Sequence, residues 1–365
     1  MQITINKEKI LKALTQANRF TSSRIGATAG LQGVLFQNIK GKTHIYSTNL
    51  NTFFHTVIDS GEEGNEKFLL DPHKVIEFIT FLNEGEITLF LEKDKILISQ
   101  KKTKGSFSLL PHSDFPTPPT VEGDGQEIEV KKFEELISLV LFSASRDTSR
   151  PVLSGVNFVE REGEVDVVAT DGFRLSLFHM KNELNMKSML IPAEFLLELL
   201  RNIKGRKTII MNYLNKEKMV YFKTENDEYY TRLIEGDFPP YERVIPIEKK
   251  TTARIDKDDL IRNVKLISVF ARDYSSIIIC HFKNGELVLS PKIEGGVENT
   301  TTQEIDFEGE EMRVAFNFKF LLEFLNTVND EQVTIELLRP DAPVVLKIQK
   351  EKNYLHIIMP VRIQE

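Results

Sequence analysis

Residues Leu233–Pro246 read LIEGDFPPYERVIP, and a shorter version of the same phrase, LLPHSDFPTPP, stands at Leu109–Pro119. A Pro-dense phrase with an acidic residue ahead of Phe-Pro suits the close of a structural unit, and its recurrence points to an internal repeat. The rest of the chain aligns to itself around these two phrases. NKEKILKALTQANRF, VKKFEELISLVLFSAS and DKDDLIRNVKLISVFA each place apolar residues at i, i+4 and i+7: Ile10/Leu14/Ala17, Phe133/Ile137/Val140 and Leu260/Val264/Ile267. That spacing is one stripe of an amphipathic helix. A second trio, DPHKVIEFITFL, IPAEFLLELLRNI and NFKFLLEFLNTV, repeats the pattern at Val75/Ile76/Ile79, Phe195/Leu196/Leu199 and Leu321/Leu322/Leu325. Asp71 and Asn317 read as N-caps, and Pro72 and Pro192 as first-turn residues.

After each second helix comes a strand-like series: GEITLFLEKDKILISQ then GSFSLLP, KTIIMNYLNKEKMVYFKT then EYYTRLI, EQVTIELLRPDAPVVLKIQ then NYLHIIMPV. Alternating runs separated by turn residues predict antiparallel hairpins. With Ile10, Phe133 and Leu260 equivalent, the copies are offset by 123 and 127 residues. An α+β chain of three tandem domains is expected, over 1–119, 127–246 and 252–365. HSDFPTPPTVEGDGQE (112–127) and PIEKKTTARI (246–255) are the linkers.

Length and content agree with several domains: 365 residues, 41% of them hydrophobic. The lone Cys280 excludes a disulfide framework and a multi-Cys metal site, and fits a reducing compartment. The opening MQITINKEKILKAL is charged where a signal peptide needs an apolar run, and no stretch approaches the ~20 apolar residues that span a bilayer. A cytoplasmic location with no membrane contact is expected.

Local signatures of catalysis are missing. KGKT at Lys40–Thr43 echoes the end of a phosphate loop, but Phe36 stands where the first Gly belongs, and the context is a hairpin. The seven His are scattered, with no metal-ligand spacing. Asp256, Asp258 and Asp259 cluster where a helix begins, and the helix dipole favours carboxylates there without any cation. No cofactor and no metal is expected.

Charge is more informative. The chain carries −7, too acidic to coat nucleic acid with its whole surface. Residues 7–24, 131–150, 193–207 and 256–272 nevertheless carry +4, +1, +2 and +1, which leaves −15 for the remainder. Helices gathered on one side of curved sheets would add these cations along one surface, facing a polyanion, while the acidic remainder repels it.

RPVLSGV (150–156), VATDGFRLS (168–176), LIEGDFPPYERVIP and the closing IIMPVRI (357–363), in this order, resemble the signature stretches of the bacterial DNA sliding clamps, the β subunits of DNA polymerase III. The resemblance covers the whole chain and its three tandem domains. It implies three copies of the DNA-clamp fold and a head-to-tail homodimer closed into a ring, with helices inside and antiparallel sheets outside. Such a ring encircles duplex DNA without reading sequence, has no catalytic activity, is loaded by an ATP-driven clamp loader, and tethers the polymerase III catalytic subunit and other proteins bearing clamp-binding motifs.

The resemblance also implies a partner-peptide pocket built from Leu153, Thr170, Gly172, Phe173, Arg174, Leu175, Pro239, Arg243, Val244, Pro343, Val344, Ile357, Met359, Pro360 and Val361. Apolar walls with a flexible Met suit a buried Leu or Phe anchor, Pro gives rigid edges, and Arg suits polar groups. Copy one lacks the Tyr-x-Arg-Val element, so one such pocket per chain is expected. Phe173 stands where the family commonly carries His, which bears on partner preference. Arg24, Lys74, Arg150, Arg201, Arg206 and Lys319 are the expected DNA contacts, partly from family position and partly from charge. For ring closure, Phe107 and Leu109 on the edge strand GSFSLLP are expected to meet Val269 and Phe270, since a head-to-tail ring needs two different surfaces. Two other readings stand beside this one: an enzyme with Asp171 as base and Arg174 as anion clamp, and a peptide scaffold that binds no DNA.

Overall fold

The computed structural model describes residues 2–24, 26–60, 64–183, 185–272, 275–292 and 299–362. Ile363, the last residue of IIMPVRI, lies outside them. Seven helices occur among the described residues: α1 (Lys7–Asn18), α2 (Ala29–Gln32), α3 (Pro72–Thr80), α4 (Val130–Leu141), α5 (Ala193–Ile203), α6 (Lys257–Ala271) and α7 (Phe318–Thr327). Their starts follow from their caps. Asp71 Oδ1 accepts the His73 amide at 3.0 Å, Asn317 Oδ1 the Lys319 amide at 3.1 Å, and Asp256 Oδ1 the Asp259 amide at 2.9 Å. The acidic cluster at the start of α6 is thus a cap and first turn. Pro72 opens α3 as expected. Pro192 does not enter α5: it ends the strand Met189–Pro192, where it stands opposite Gly155. That strand lies at a sheet edge, where a missing N–H is tolerated.

The chain folds as two compact units, Met1–Lys131 with Phe195–Leu233, and Lys132–Glu194 with Ile234–Glu365, so the division passes through the second repeat. The first unit carries a 12-stranded antiparallel sheet. Its seam joins copy one to copy two where Thr52–Asp59 pairs with Asp227–Arg232, placing Phe53 opposite Tyr230. The second unit carries a 9-stranded and a 4-stranded sheet. The larger of these has an equivalent seam joining copy two to copy three, where Arg174–Lys181 pairs with Tyr354–Ile358 and places Leu175 opposite Ile357. The helices bury most of the predicted stripes, among them Ile10, Leu14 and Ala17 of α1 and Leu260, Val264 and Ile267 of α6, while Ile76 and Leu322 are half-buried. Each hairpin series appears as strands, such as Glu86–Leu91, Lys95–Gln100 and Thr103–Leu110. KGKT is a hairpin turn: Ile39 pairs with Lys42, and Lys40 and Gly41 take φ of 49° and 76°.

Candidate partner-binding groove and nucleic-acid interface

The turn Thr170–Arg174 sets one wall of a groove in the second unit. Thr170 Oγ1 donates to the Arg174 carbonyl at 2.5 Å and accepts the Gly172 amide at 3.0 Å. Asp171 Oδ1 accepts the amides of Phe173 and Arg174 at 2.9 and 3.0 Å. Gly172, at φ +90°, supplies the left-handed residue the turn requires. The Met359 amide donates to the Phe173 carbonyl at 2.8 Å, so the terminal segment is tied to the turn.

The floor is a buried cluster of Val168, Leu175, Leu177, Tyr241, Val345 and Ile357, against which Phe238, Ile245 and Leu355 pack. The linker phrase lies over it because Tyr241 is bolted down. Its hydroxyl donates to Asp166 Oδ2 at 2.6 Å, His179 Nδ1 meets Asp166 Oδ1 at 2.6 Å, and Arg161 pairs with Glu242 at 2.7 Å. Hydrogen bonding to Asp166 raises the His179 pKa above its ordinary value, outweighing the opposing effect of burial. At the rim Pro239, Arg243, Val244 and Gly172 are exposed, Phe173 is 64% exposed, and Pro343, Met359, Pro360 and Val361 are half-buried.

One expectation is corrected. Val344 turns away from the floor into the core with Leu346 and Ile348, and its neighbour Val345 takes the floor position. Side chains alternate along a strand, and Lys347, half-buried and in phase with Val345, marks the outward face. Arg174 is buried and committed: its Nε donates to Asp171 Oδ2 at 3.0 Å, it pairs with Glu323, and its guanidinium lies 4.7 Å from the Phe320 ring centroid. It holds the wall of the groove through these contacts. Both Asp171 oxygens are hydrogen-bonded as well, so the acid and the Arg of the enzyme reading are tied to each other. Leu153 is buried beside the groove strands, its carbonyl accepting the Ser145 amide at 2.8 Å. Sequence reasoning missed Val168, Leu177, Tyr241, Val345 and Phe320, whose ring stacks on Phe173 at 6.5 Å.

Behind the floor, His356 is fully buried, with Nδ1 2.8 Å from Ser176 Oγ and its ring 5.0 Å from that of Phe324. Burial, with help from the Arg174 charge, holds its pKa well below the ordinary value. The ring is a neutral packing element.

The basic helices form a second candidate surface. A cleft of about 490 Å³ between α1 and α5 is lined by Lys12, Arg19, Arg201 and Lys204. The two helices are bridged there by Gln16 Nε2 donating to Asn202 Oδ1 at 2.8 Å. Glu198 orients Arg19 at 2.8 Å and Arg201 at 2.5 Å. Lys12, Arg19 and Lys204 were not singled out from sequence, although Lys12 and the C-cap residue Arg19 sit seven residues apart, along one face of α1 and its C-cap. Arg206 is partly withdrawn, paired at 2.8 Å with the buried Asp227, which also takes the Thr56 hydroxyl at 2.6 Å. Arg24 and Arg150 are exposed in turns, and Lys74 and Lys319 are exposed in the first turns of α3 and α7.

Apolar exposure marks a third surface. On α6, Leu266, Val269 and Phe270 form an exposed stripe opposite its buried one. In the first unit Phe107 is half-buried with its ring 5.4 Å from Phe78, and Phe81 is 83% exposed. Thr103–Ser108 is paired on one side only, whereas Leu109 sits inside the sheet opposite Leu70, so the expected edge ends one residue before it.

Among the described residues, no helix is long and apolar enough to cross a membrane. Family models of the DNA polymerase III β subunit match nearly the whole chain: its N-terminal domain over 1–119, central domain over 127–240 and C-terminal domain over 242–362. The β sliding clamp of Treponema pallidum is 26% identical over 374 aligned residues, covering 99% of this chain and 100% of that one. That of Haemophilus influenzae is 25% identical, with complete coverage of both. The fold is similar throughout to the solved β subunit of Thermotoga maritima, at a TM-score of 0.91 and 24% identity over 100% of both chains. It is also similar to a Pseudomonas aeruginosa clamp solved bound to griselimycin, at 0.88 and 22% over 100% of both chains.

Proposed function

The chain belongs to the DNA polymerase III β-subunit family, the bacterial sliding clamps, and on that premise we propose how its surfaces divide the work of a non-catalytic processivity factor. Two copies close head to tail around duplex DNA, with the exposed α6 stripe of one meeting the Phe107 and Phe81 surface of the other. The cations of Lys12, Arg19, Arg201 and Lys204, with Arg24, Lys74, Arg150, Arg206 and Lys319, face the phosphates. A topologically held clamp needs only weak, salt-screened contacts, which leave it free to slide. The apolar groove between Phe173, Val244 and Met359 takes a short partner segment with a Leu or Phe anchor, from the polymerase catalytic subunit, from an ATP-driven loader and from other clamp-binding proteins.

The observation that carries the tethering is the apolar floor: five aliphatic side chains and Tyr241 under a rim with exposed Phe173 and Val244. A labelled peptide carrying a Leu-Phe pair tests it by fluorescence anisotropy. Met359→Ala is expected to weaken binding about tenfold, roughly 1.4 kcal/mol. Unchanged binding by the folded variant would overturn the assignment.

A further inference from the structure

The seam between copies one and two repeats, bond for bond, the seam that carries the groove. Thr48 Oγ1 donates to the Thr52 carbonyl at 2.7 Å and accepts the Leu50 amide at 2.9 Å. Asn49 Oδ1 accepts the amides of Asn51 and Thr52 at 3.0 and 2.8 Å. The Arg232 amide donates to the Asn51 carbonyl at 2.8 Å. Thr170, Asp171 and Met359 make the same five bonds at the other seam.

The backbone is shared, but the floor is not. Phe53, Tyr230 and Tyr221 take the places of Leu175, Ile357 and Val345, and Glu228 takes that of Leu355. Tyr221 and Tyr230 donate their hydroxyls to Glu228 at 3.0 and 3.2 Å, and His55 Nδ1 meets it at 2.8 Å. A cleft of about 530 Å³ opens over this floor, beneath linker residues 118–125, with exposed Ile210 in its wall. Its volume is that of a ligand site, roughly 300–1,000 Å³. Val121, the counterpart of Val244, packs against the Tyr221/Tyr230 cluster.

Aromatic faces beside a carboxylate favour a cation. Glu228 already draws one from the next strand: Lys223 Nζ stands 3.6 Å away, beyond hydrogen-bond reach. Asp124, also lining the cleft, adds to the negative field.

We propose that this cleft is a second docking groove, for an extended partner peptide that presents an Arg or Lys side chain to Glu228 and an adjacent aliphatic side chain to Val121 and Ile210. It differs in chemistry from the groove at the other seam, and it does not rest on that groove being occupied.

The test uses the full-length protein with Ile, Leu and Val methyls labelled, titrated with acetyl-Arg-Leu-amide or acetyl-Gln-Leu-amide. The Arg dipeptide is expected to shift the Val121 and Ile210 methyl signals saturably, and the Gln dipeptide to bind about tenfold more weakly. Glu228→Gln abolishes the preference, and Lys223→Ala strengthens Arg binding several-fold by removing the internal competitor. Val345 and Ile357 report the other groove in the same spectra, so failure of one site is distinguishable from failure of the other. Absent shifts, equal shifts with both dipeptides, or an Arg preference that survives Glu228→Gln would overturn the proposal. If Glu228→Gln disturbs methyls far from the cleft, Lys223→Ala with the dipeptide pair decides: no gain for Arg overturns it.

Discussion

Val344 and Val345 are adjacent and chemically identical, yet the strand sends one to the core and the other to the groove floor. Val344→Ala is expected to cost roughly 1–3 kcal/mol of stability in urea denaturation and to leave peptide affinity unchanged. Val345→Ala should instead weaken a Leu-Phe peptide about tenfold. The phase is legible in sequence, because side chains alternate along a strand and Lys347 marks the outward face. The fate of Arg174 was not legible, since its partner Glu323 is 149 positions away and only the fold brings them together. His179 makes the linker's anchor pH-sensitive. Its folded pKa lies above the ordinary 6.5, so its contribution is complete below that value and is lost as pH rises through the folded one. The pair is exposed, so the effect is under ~1 kcal/mol. Melting temperatures of wild type and His179→Gln, compared across this range, should converge on the alkaline side.

At the scale of elements, the two faces of α6 have different fates. Leu260, Val264 and Ile267 are buried, while Leu266, Val269 and Phe270 are left uncovered. Leu266→Asp with Val269→Asp is expected to shift the protein to monomer by light scattering, changing the stability of the subunit by no more than about 0.5 kcal/mol per site, as for other exposed substitutions. The seam between Thr52–Asp59 and Asp227–Arg232 depends on Glu228 in a pH window of its own. Burial alone would raise its pKa, but hydrogen bonds from His55 and Tyr221 and nearby positive charge bring it from 4.5 down to about 2. The stabilisation, on the order of 2–3 kcal/mol, is present above 4.5 and lost as pH falls through about 2. Acid unfolding of Glu228→Gln should therefore be shallower than that of wild type. Helices and hairpins were legible because caps, periods and turns are local. The pairing of strands across repeats was not, because it joins residues as distant as His55 and Glu228.

At the scale of the molecule, the threefold repeat was visible in one recurring phrase and two helix trios, whereas the compact units cut across the second copy. Repeats are counted along the chain, but compactness follows the sheets, and each larger sheet spans a seam. The cations of α1 and α5 are gathered into one cleft while the chain as a whole carries −7, the distribution wanted by a protein that holds DNA on one surface alone. Weak phosphate contacts predict that added salt does little to release a closed clamp, since topology retains it. The decisive comparison is retention of the loaded protein on circular duplex DNA against the same DNA linearised, after a high-salt wash. The account predicts that it stays on circles and runs off free ends; equal loss from both forms would contradict it.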